Sequence, residues 1–424
     1  MINAYCMSNL YNNYVNFNYK RSKKIYSNDK KISIKNVFKV YGKDPKLALK
    51  MLKDGFTKEE VFKKTGMTIG VQNASFEIKE GEIFVIMGLS GSGKSTLVRL
   101  LNRLIEPTSG KIYIDDIDVT NLNDKKLIDV RRKKISMVFQ SFALMPHLNI
   151  IDNVSFGLEL SGIEKSKRYE CARKALLQVG LKNYENSYPD ELSGGMQQRV
   201  GLARALANNP EVLLMDEAFS ALDPLIRSEM QDELLELQEN EKRTIVFISH
   251  DLDEAIRIGD RIAIMQNGEI SQIGTPEEII NNPANDYVKS FFKGVDVTSV
   301  LNASHIVKKN HSTITNKEST GIISALQYIS DLDEDYGYFT EKSGKYLGIL
   351  TLESLKEQKK LGGTIHDAII DEKPINENLQ ISEFISDIAS HIYPTAVVDD
   401  NGKYKGTISK SKLLKVFDEG VDYE

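Results

Sequence analysis

The chain has 424 residues, a length that favours about two or three packing units. Hydrophobic residues make up 41% and charged residues 27%, the balance of a globular protein with a buried core, so global disorder is excluded. The net charge of −5, from 60 acids and 55 bases, provides no broad cationic surface for phosphate backbones. We therefore expect no nucleic-acid partner.

The two cysteines, Cys6 and Cys171, stand far apart and outside metal-ligand spacing, which favours a reducing cytosol over a disulfide framework or zinc site. No run approaches the roughly 18 apolar residues that span a bilayer, so we expect any membrane contact to be made through a partner. Residues 1–30 are rich in Asn, Tyr and Lys and lack the apolar stretch of a secretion signal. We expect them to form a disordered extension without a role in the chemistry.

The first predicted element is a strand over Lys31–Val40, where polar and apolar residues alternate. Between Pro45 and Lys64 the apolar spacing becomes helical, which indicates two short helices broken at Gly55, the second capped by Thr57. Further along the chain we predict strands at Val71–Ile78, Ile83–Met87, Val212–Met215 and Thr244–Ile248, and a helix over Lys165–Gly180. The last two strands are almost wholly apolar, as expected of parallel strands covered on both faces.

A glycine-rich segment, GLSGSGKS, follows the strand Ile83–Met87 and fits the phosphate-binding loop in every fixed position. Its glycines let backbone N–H groups turn toward phosphates, Lys94 would neutralise the β and γ phosphates, and Ser95 would hold Mg²⁺. The order of strand, glycine loop and helix is typical of a nucleotide-binding α/β unit. The residues predicted here to contact ATP are Gly88, Ser90, Gly91, Ser92, Gly93, Lys94, Ser95 and Thr96.

Two carboxylates, Asp216 and Glu217, end the apolar strand that begins at Val212. Asp216 is placed to complete the Mg²⁺ shell, and Glu217 is the better candidate for polarising the attacking water. The alternative is that the two acids only cap the strand. Together with the glycine loop, the acids predict ATP hydrolysis without indicating its purpose.

The segment LSGGMQQR at Leu192–Arg199 resembles the signature of ABC ATPases, with Met196 where the commonest version has Gln. Ser193 and the amides of Gly194 and Gly195 begin a helix and offer an anion site. In ABC proteins this turn binds the γ-phosphate held by the opposite subunit. The resemblance therefore implies a head-to-tail homodimer with two ATP molecules at its interface.

Other motifs stand in the order of the same superfamily. Gln140 matches the Q-loop glutamine, which contacts Mg²⁺ and the water and transmits closure to the permease. The segment Ser220–Asp223 matches the D-loop that crosses between subunits, with Asp223 acting across the interface. His250, after an apolar strand, matches the switch histidine at the γ-phosphate. Tyr41 resembles the aromatic residue that stacks on adenine, although the insertion after it shifts the spacing.

The resemblance narrows to the ATP-binding subunits of glycine betaine/proline betaine importers over nearly all of residues 31–424. It is carried by Ile83–Arg103, Arg131–His147 and Asp216–Leu234, with the helical insertion and the tail. It implies a subunit on the cytoplasmic face of the cell membrane, attached through an integral-membrane permease and served indirectly by a substrate-binding protein.

The tail contains a repeat, because the residues GKYLG from Gly344 recur as GKYKG from Gly402, a spacing of 402 − 344 = 58. Each copy has a strand on both sides and then a helix, which indicates two copies of one α+β unit. The pair resembles tandem cystathionine-β-synthase (CBS) modules, linked in this family to regulation by ionic strength and, in some members, by cyclic di-AMP. We hypothesise that the cleft between the repeats binds an adenine-containing regulator; the alternative is a tail that only holds the dimer together.

The predicted fold is therefore an α/β ABC-type phosphate-loop ATPase domain with a helical subdomain, followed by a tandem CBS pair. The expected division is an extension at 1–30, an ATPase domain at 31–292 with its helical signature subdomain at about 140–200, a linker at 293–312 and the CBS pair at 313–424.

Three other functions are weighed against this one. Importers of another solute, such as methionine or a sugar, carry other tails. Chromosome-type ABC ATPases separate the loop and the signature by hundreds of residues, whereas Lys94 and Ser193 are 193 − 94 = 99 residues apart here, and ribosome-acting members usually carry two ATPase units. A nucleotide-binding regulator without enzymatic activity would require loss of Glu217 or His250, and both are present.

Overall fold

The computed structural model describes residues 29–292, 298, 301–308, 313–316 and 321–419. The described residues up to 292 belong to one compact unit, and those from 298 onward belong to a second. Residues 1–28 of the extension expected over residues 1–30, and residues 293–297, 299–300 and 309–312 of the expected linker, lie outside the described residues. Lys30, at the end of the expected extension, begins the first strand instead.

Ten strands form two sheets in the described part of the first unit. They are β1 (Lys30–Tyr41), β2 (Thr68–Lys79), β3 (Ile83–Met87), β4 (Ser109–Ile114), β5 (Ile117–Asp118), β6 (Ile135–Val138), β7 (Val212–Asp216), β8 (Thr244–Ile248), β9 (Arg261–Gln266) and β10 (Glu269–Gly274). One sheet is antiparallel, in the order β2-β1-β4-β5. The other has the order β10-β9-β3-β8-β7-β6, in which all pairs are parallel except β10 with β9.

Helices connect and cover these strands. They are α1 (Pro45–Lys53), α2 (Lys58–Thr65), α3 (Lys94–Leu101), α4 (Asp124–Lys133), α5 (Ile150–Leu160), α6 (Lys165–Gln178), α7 (Gly194–Ala207), α8 (Pro224–Asn240), α9 (Leu252–Ile258), α10 (Pro276–Asn281) and α11 (Asp286–Phe291). Strands β3, β7 and β8 are buried along their whole length, which confirms the prediction of covered parallel strands. Residues of α3, such as Leu97 and Leu101, pack into the same core as Phe84 and Leu214.

The insertion after β1 contains the two short helices that the sequence predicts, separated by Gly55. Thr57 caps α2 by accepting a hydrogen bond from the Glu60 backbone, and the Glu60 side chain reaches back to the Thr57 N–H. The helices bury Ala48 and Val61 in a small cluster of their own against β1 and β2. Between β6 and β7, helices α5, α6 and α7 pack on one another.

The part of the second unit that the structure describes contains two three-stranded sheets of the same design. Its strands are β11 (Thr313–Thr315), β12 (Tyr336–Thr340), β13 (Tyr346–Thr351), β14 (Ile375–Asn376), β15 (Thr395–Val398) and β16 (Tyr404–Ile408), and its helices are α12 (Ala303–Ile306), α13 (Ile322–Asp331), α14 (Leu352–Leu361), α15 (Ile381–Ser390) and α16 (Lys410–Glu419). In the sheets β11-β12-β13 and β14-β15-β16, the first pair is parallel and the second antiparallel. The predicted two copies of one α+β unit are thereby confirmed.

The two copies are joined by reciprocal backbone pairing at the repeated residues. The Tyr346 N–H donates to Gly402 O at 3.0 Å, and the Tyr404 N–H donates to Gly344 O at 3.0 Å. The segment before each copy also pairs with the sheet of the other copy, because Lys308 bridges to Thr407 and Ile370 bridges to Ile349. Part of the expected linker, residues 301–308, thus lies against the second copy.

Gly406 tests this exchanged packing. Its φ is +151°, and an added Cβ would lie 2.4 Å from Lys308 O and 2.9 Å from Val307 Cγ2. We predict that Gly406→Ala destabilises the second unit by about 1–3 kcal/mol, because the backbone of residues 307–308 cannot move away cheaply. Hydrogen exchange of the β16 amides, measured in the full chain, should become faster to the extent that this loss of stability predicts.

Gly321→Ala is the matched control, since none of the described residues has a heavy atom within 4 Å of its Cβ position and its φ is −102°. It should leave exchange in β16 unchanged. Equal exchange in both variants would contradict the described packing.

Candidate active site

The glycine loop between β3 and α3 packs so closely against other backbone segments that two of its glycines leave no room for a side chain. A Cβ on Gly88 would lie 2.3 Å from Met265 O, and one on Gly93 would lie 2.2 Å from Gly70 O. Gly93 also has a φ of +106°, which an L side chain rarely adopts. The loop is therefore held between β3 and the backbones of β2 and β9, as close approach of backbones requires.

Lys94 begins α3 and is buried beneath this loop. Its Nζ donates to Gly88 O at 2.7 Å and to Leu89 O at 3.2 Å. Burial lowers the pKa of Lys94, while the negative charges of Glu217 and Asp216 oppose that shift. Because these hydrogen-bond partners are neutral carbonyl groups, the ammonium can still interact favourably with an anion.

Ser92, in the same loop, has a buried Oγ with no hydrogen-bond partner among the described residues. A buried hydroxyl without a partner and a buried ammonium held by carbonyl groups are both donors that phosphate oxygens accept. The loop therefore fits the phosphate chain of ATP.

Asp216, at the end of β7, receives two hydrogen bonds from α3. Ser95 Oγ donates to its Oδ1 at 2.8 Å, and Arg99 donates to its Oδ2 at 3.1 Å. The sequence predicts Ser95 and Asp216 as Mg²⁺ ligands, and the structure brings their oxygens together. Hard oxygen ligands of this kind fit Mg²⁺. Sequence reasoning missed Arg99, whose position one turn after Ser95 was the available signal.

Gln140 and Glu217 also meet, although 77 residues separate them in the chain. They follow the neighbouring parallel strands β6 and β7, and Gln140 Nε2 donates to Glu217 Oε2 at 3.1 Å. Glu217 has a φ of +49°, an uncommon conformation for a residue with a side chain. The Ser220 N–H and Oγ both donate to Glu217 O and stabilise this turn.

His250 follows β8, which lies between β3 and β7 in the sheet. Its side chain is exposed, whereas the neighbouring Ser249 is buried. Because the carboxyl ends of parallel strands lie at one edge of a sheet, the glycine loop, the two acids and His250 share that edge. The predicted site is therefore assembled by the order of the strands.

Tyr41 lies beside the start of α3, where its OH is 3.4 Å from Thr96 Oγ1. A Cβ on Gly70 would meet the Tyr41 ring at 2.9 Å, so glycine leaves room for the ring. Lys39 Nζ lies 5.0 Å from the ring centroid, a cation–π distance. The side chain is 40% exposed, which leaves part of it accessible next to the loop.

The signature residues Ser193 and Gly194 and the D-loop residue Asp223 are exposed. Ser193 caps α7 by accepting from Met196 N at 3.3 Å, and Asp223 caps α8 by accepting from Ile226 N at 3.1 Å. Gly195 packs on α8, since its Cβ position is 2.6 Å from Ile226 Cγ2. The two turns present N-termini of helices to solvent, where an anion is favoured.

Tyr287 in α11 is another contact that sequence reasoning missed. Its OH donates to Met265 O at 3.2 Å and accepts from the Leu89 N–H at 3.5 Å, across 198 residues of chain. It supports the glycine loop from the end of the first unit. A tyrosine in a polar segment belongs to no motif, so no sequence signal was available.

Comparison with known proteins agrees with this geometry. The family model for the ABC transporter matches residues 71–220. The ATP-binding protein of the glycine betaine/proline betaine transport system of Escherichia coli K12 is 56% identical over 377 residues, covering 88% of this chain and 94% of that protein. This chain belongs to the family of ATP-binding subunits of glycine betaine/proline betaine ABC transporters.

This ABC subunit hydrolyses ATP in the service of transport, as the family and the phosphate loop establish. The glycine betaine transport ATP-binding protein of Bacillus subtilis 168 is 52% identical over 86% of this chain and 87% of that protein. In structure, the ABC subunit is similar to CbiO1 of Clostridium perfringens, part of an ABC transporter complex, with a TM-score of 0.50, 25% identity and coverage of 62% of this chain and 95% of that chain. No helix in the described ranges is long and apolar enough to cross a membrane.

Gly93 gives a test of the loop geometry. We predict that Gly93→Ala lowers ATP affinity at least tenfold, because a Cβ there overlaps Gly70 O and forces the loop away from β2. Fluorescent ATP titration of the full chain measures this. Gly321→Ala, outside the loop, is the control, because its φ is −102° and no heavy atom of the described residues lies within 4 Å of its Cβ position. A Gly93→Ala variant that binds ATP as tightly as the control would contradict the close approach.

Proposed function

We propose that this ABC subunit powers the uptake of glycine betaine and proline-type osmoprotectants, attached to the cytoplasmic face of the cell membrane through an integral-membrane permease. A substrate-binding protein would deliver the solute to that permease. The observation that carries the proposal is the 56% identity to the Escherichia coli subunit over 88% of this chain, both units included. An importer of a different small solute is the competing function.

Within the site, the residues are assigned roles from their positions. Lys94 and the amides of the glycine loop would hold the ATP phosphates, with Ser90, Gly91 and Thr96 in the same cradle and Tyr41 beside the adenine. Ser95, Asp216 and Gln140 would hold Mg²⁺, which when bound neutralises charge that develops on the phosphates. The exposed His250 would contact the γ-phosphate from the neighbouring strand.

Glu217 is assigned to the attacking water. Its carboxylate lies 3.1 Å from the Gln140 amide, so both side chains can position one water between the two parallel strands. The hydrogen bonds from Ser220 fix the backbone of Glu217, so the carboxylate needs little reorganisation during the reaction.

Catalysis is proposed to require a homodimer. The solvent-exposed helix N-termini at Ser193–Gly195 and Asp223 would complete the ATP site of a second copy, since an exposed helix N-terminus attracts a phosphate. We assign the ATPase domain to residues 31–292, with the helical signature subdomain at about 140–200, and a linker to 293–312.

Replacement of Glu217 by Gln tests the hydrolytic assignment. Glu217→Gln should bind ATP, remain as a stable dimer in ATP and Mg²⁺, and hydrolyse at least about a hundredfold more slowly, because an amide does not accept the proton of water. Lys94→Ala is the contrasting variant and should lose ATP affinity itself. Steady-state hydrolysis and size-exclusion chromatography with ATP distinguish the two losses, and normal turnover of Glu217→Gln would refute the role.

Uptake of labelled glycine betaine tests the solute. Vesicles that contain the subunit, its permease and its binding protein should accumulate glycine betaine with the wild-type subunit and not with Glu217→Gln. Accumulation of methionine or a sugar instead, at the same rate of hydrolysis, would show that the subunit serves another class of importer.

We further propose that residues 313–424 form a tandem CBS pair that regulates the ATPase, and that cyclic di-AMP binds between the two copies. The reciprocal pairing at Gly344–Tyr346 and Gly402–Tyr404 supports two equivalent halves. Tyrosines from both copies surround that junction, with the rings of Tyr346 and Tyr404 stacked at 6.3 Å. Aromatic rings of this kind favour stacking by adenine.

Two polar atoms near that junction also favour a ligand. Tyr404 Oη and Glu372 Oε2 are buried without a hydrogen-bond partner among the described residues. Because unpartnered buried polar atoms are costly, a ligand with complementary donors and acceptors would be stabilised there.

Calorimetric titration of the full chain with cyclic di-AMP measures this directly. We expect saturable heat, and about fivefold weaker binding in Tyr404→Phe because one hydroxyl partner is lost. Tyr113→Phe, in the first unit, is the control and should bind as the wild type does. Absence of heat, together with an unchanged salt response of hydrolysis after deletion of 295–424, would dispose of the regulatory proposal.

A further inference from the structure

A buried hydrogen-bond chain lies directly behind His250. The Ser249 Oγ accepts from the Asp251 N–H at 2.9 Å and lies 2.9 Å from Asp251 O. It also contacts Glu254 Oε2. Ser249 and Glu254 are both buried, 1% and 8% exposed, so water does not compete for these bonds. The turn that carries His250 is thus closed by the Ser249 hydroxyl.

The number of protons limits what this hydroxyl can do. A serine hydroxyl has one hydrogen to donate, and here two oxygens, Asp251 O and Glu254 Oε2, lie within hydrogen-bond reach. If Glu254 were ionised, one of the two oxygens would face a lone pair of Ser249. A proton on Glu254 Oε2 removes that conflict, because Glu254 then donates to Ser249 and Ser249 donates to Asp251.

The other carboxyl oxygen of Glu254 fixes where the proton sits. Arg257 can only donate, and its guanidinium lies 2.9 Å from Gln231 Oε1. The Gln231 amide nitrogen must therefore face Glu254, and it donates to Glu254 Oε1 at 3.1 Å. Since Oε1 is an acceptor, the proton belongs on Oε2, the oxygen that contacts Ser249.

We propose that Glu254 is a positioning residue held as a neutral carboxylic acid, which donates from Oε2 to Ser249 and so fixes the turn that presents His250. The inference rests on the proposed role of His250 at the γ-phosphate. Through Gln231 the same chain reaches α8, the helix that the D-loop residue Asp223 caps.

The charges around Glu254 are consistent with a neutral acid. Burial raises the pKa of Glu254 and the negative charge of Asp251 adds to the rise. A hydrogen bond donated by Ser249 would oppose this rise, as do the hydrogen bond that Gln231 donates and the positive charge of Arg227. Arg227 itself pairs with Asp251 Oδ2 at 3.3 Å. A raised pKa means that the stabilising proton is present at lower pH and is lost as pH rises through the folded-state value.

Replacement of Glu254 by Gln is the decisive variant. A glutamine amide can donate to Ser249 and accept from Gln231, the same pattern as the neutral acid. We therefore expect Glu254→Gln to keep kcat and the KM for ATP within about twofold. Glu254→Ala should lower kcat at least about tenfold at unchanged KM, because ATP still binds but His250 is no longer held. Equal impairment of both variants would overturn the proposal.

The pH profile separates positioning from mere packing. Wild-type kcat should fall on the alkaline side as Glu254 ionises, and this fall should be smaller in Glu254→Gln, which cannot ionise. Superimposable profiles would contradict a neutral acid. If Glu254→Ala does not fold, Ser249→Ala replaces it, and the proposal predicts the same loss of kcat at unchanged KM.

Glu82→Gln is the matched control for the substitution itself. Glu82 is also buried but accepts from the Arg261 guanidinium at 3.1 Å, so its amide variant should unfold at a lower temperature than Glu254→Gln. His250→Ala checks the underlying role. Full turnover of His250→Ala would refute that role for His250, whereas the protonation of Glu254 would still be decided by the unfolding temperatures of the two glutamine variants.

Discussion

The site depends on a buried ammonium whose hydrogen-bond partners within the described ranges are all carbonyl groups. Lys94 is enclosed beneath its loop and donates to Gly88 O and Leu89 O. Burial is unfavourable for a cation and lowers the pKa of Lys94, although the negative charges of Glu217 and Asp216 act against that shift. The fold thus holds a positive charge ready for phosphate, and the absence of side chains at Gly88 and Gly93 lets the backbone approach closely enough to hold it.

The order of the strands places the other candidate site residues beside the glycine loop. Neighbouring parallel strands β3, β8, β7 and β6 end beside one another, although their residues are far apart in the chain. The residues proposed to bind phosphate, to hold the metal, to activate the water and to act as the switch histidine therefore share one edge of a single sheet. The helices inserted between β6 and β7 present the signature turn at a separate, exposed position, where it is available to a second copy.

The sequence predicts those parts that depend on local pattern. The glycine loop, the acids after β7 and the repeated GKY residues could all be located, because fixed spacing and strand periodicity define them. Tyr287 and the Glu254 chain could not be predicted, since their partners lie on other elements and they belong to no motif. For Arg99, the sequence signal was its position one turn after Ser95. The exchange of segments between the two copies was not predicted for the same reason. Lys308 and Thr407 become neighbours only when the sheets have folded.

The central claim is that an ATP bound by the glycine loop of one copy is completed by the Ser193 turn of another. Mixed dimers of Lys94→Ala chains and Ser193→Arg chains test it most directly. Each variant alone should be inactive, but the mixed dimer should regain hydrolysis, because both defects fall in one composite site and leave the other intact. A mixture that stays as inactive as the two separate variants would place both residues in the site of a single chain and contradict the claim.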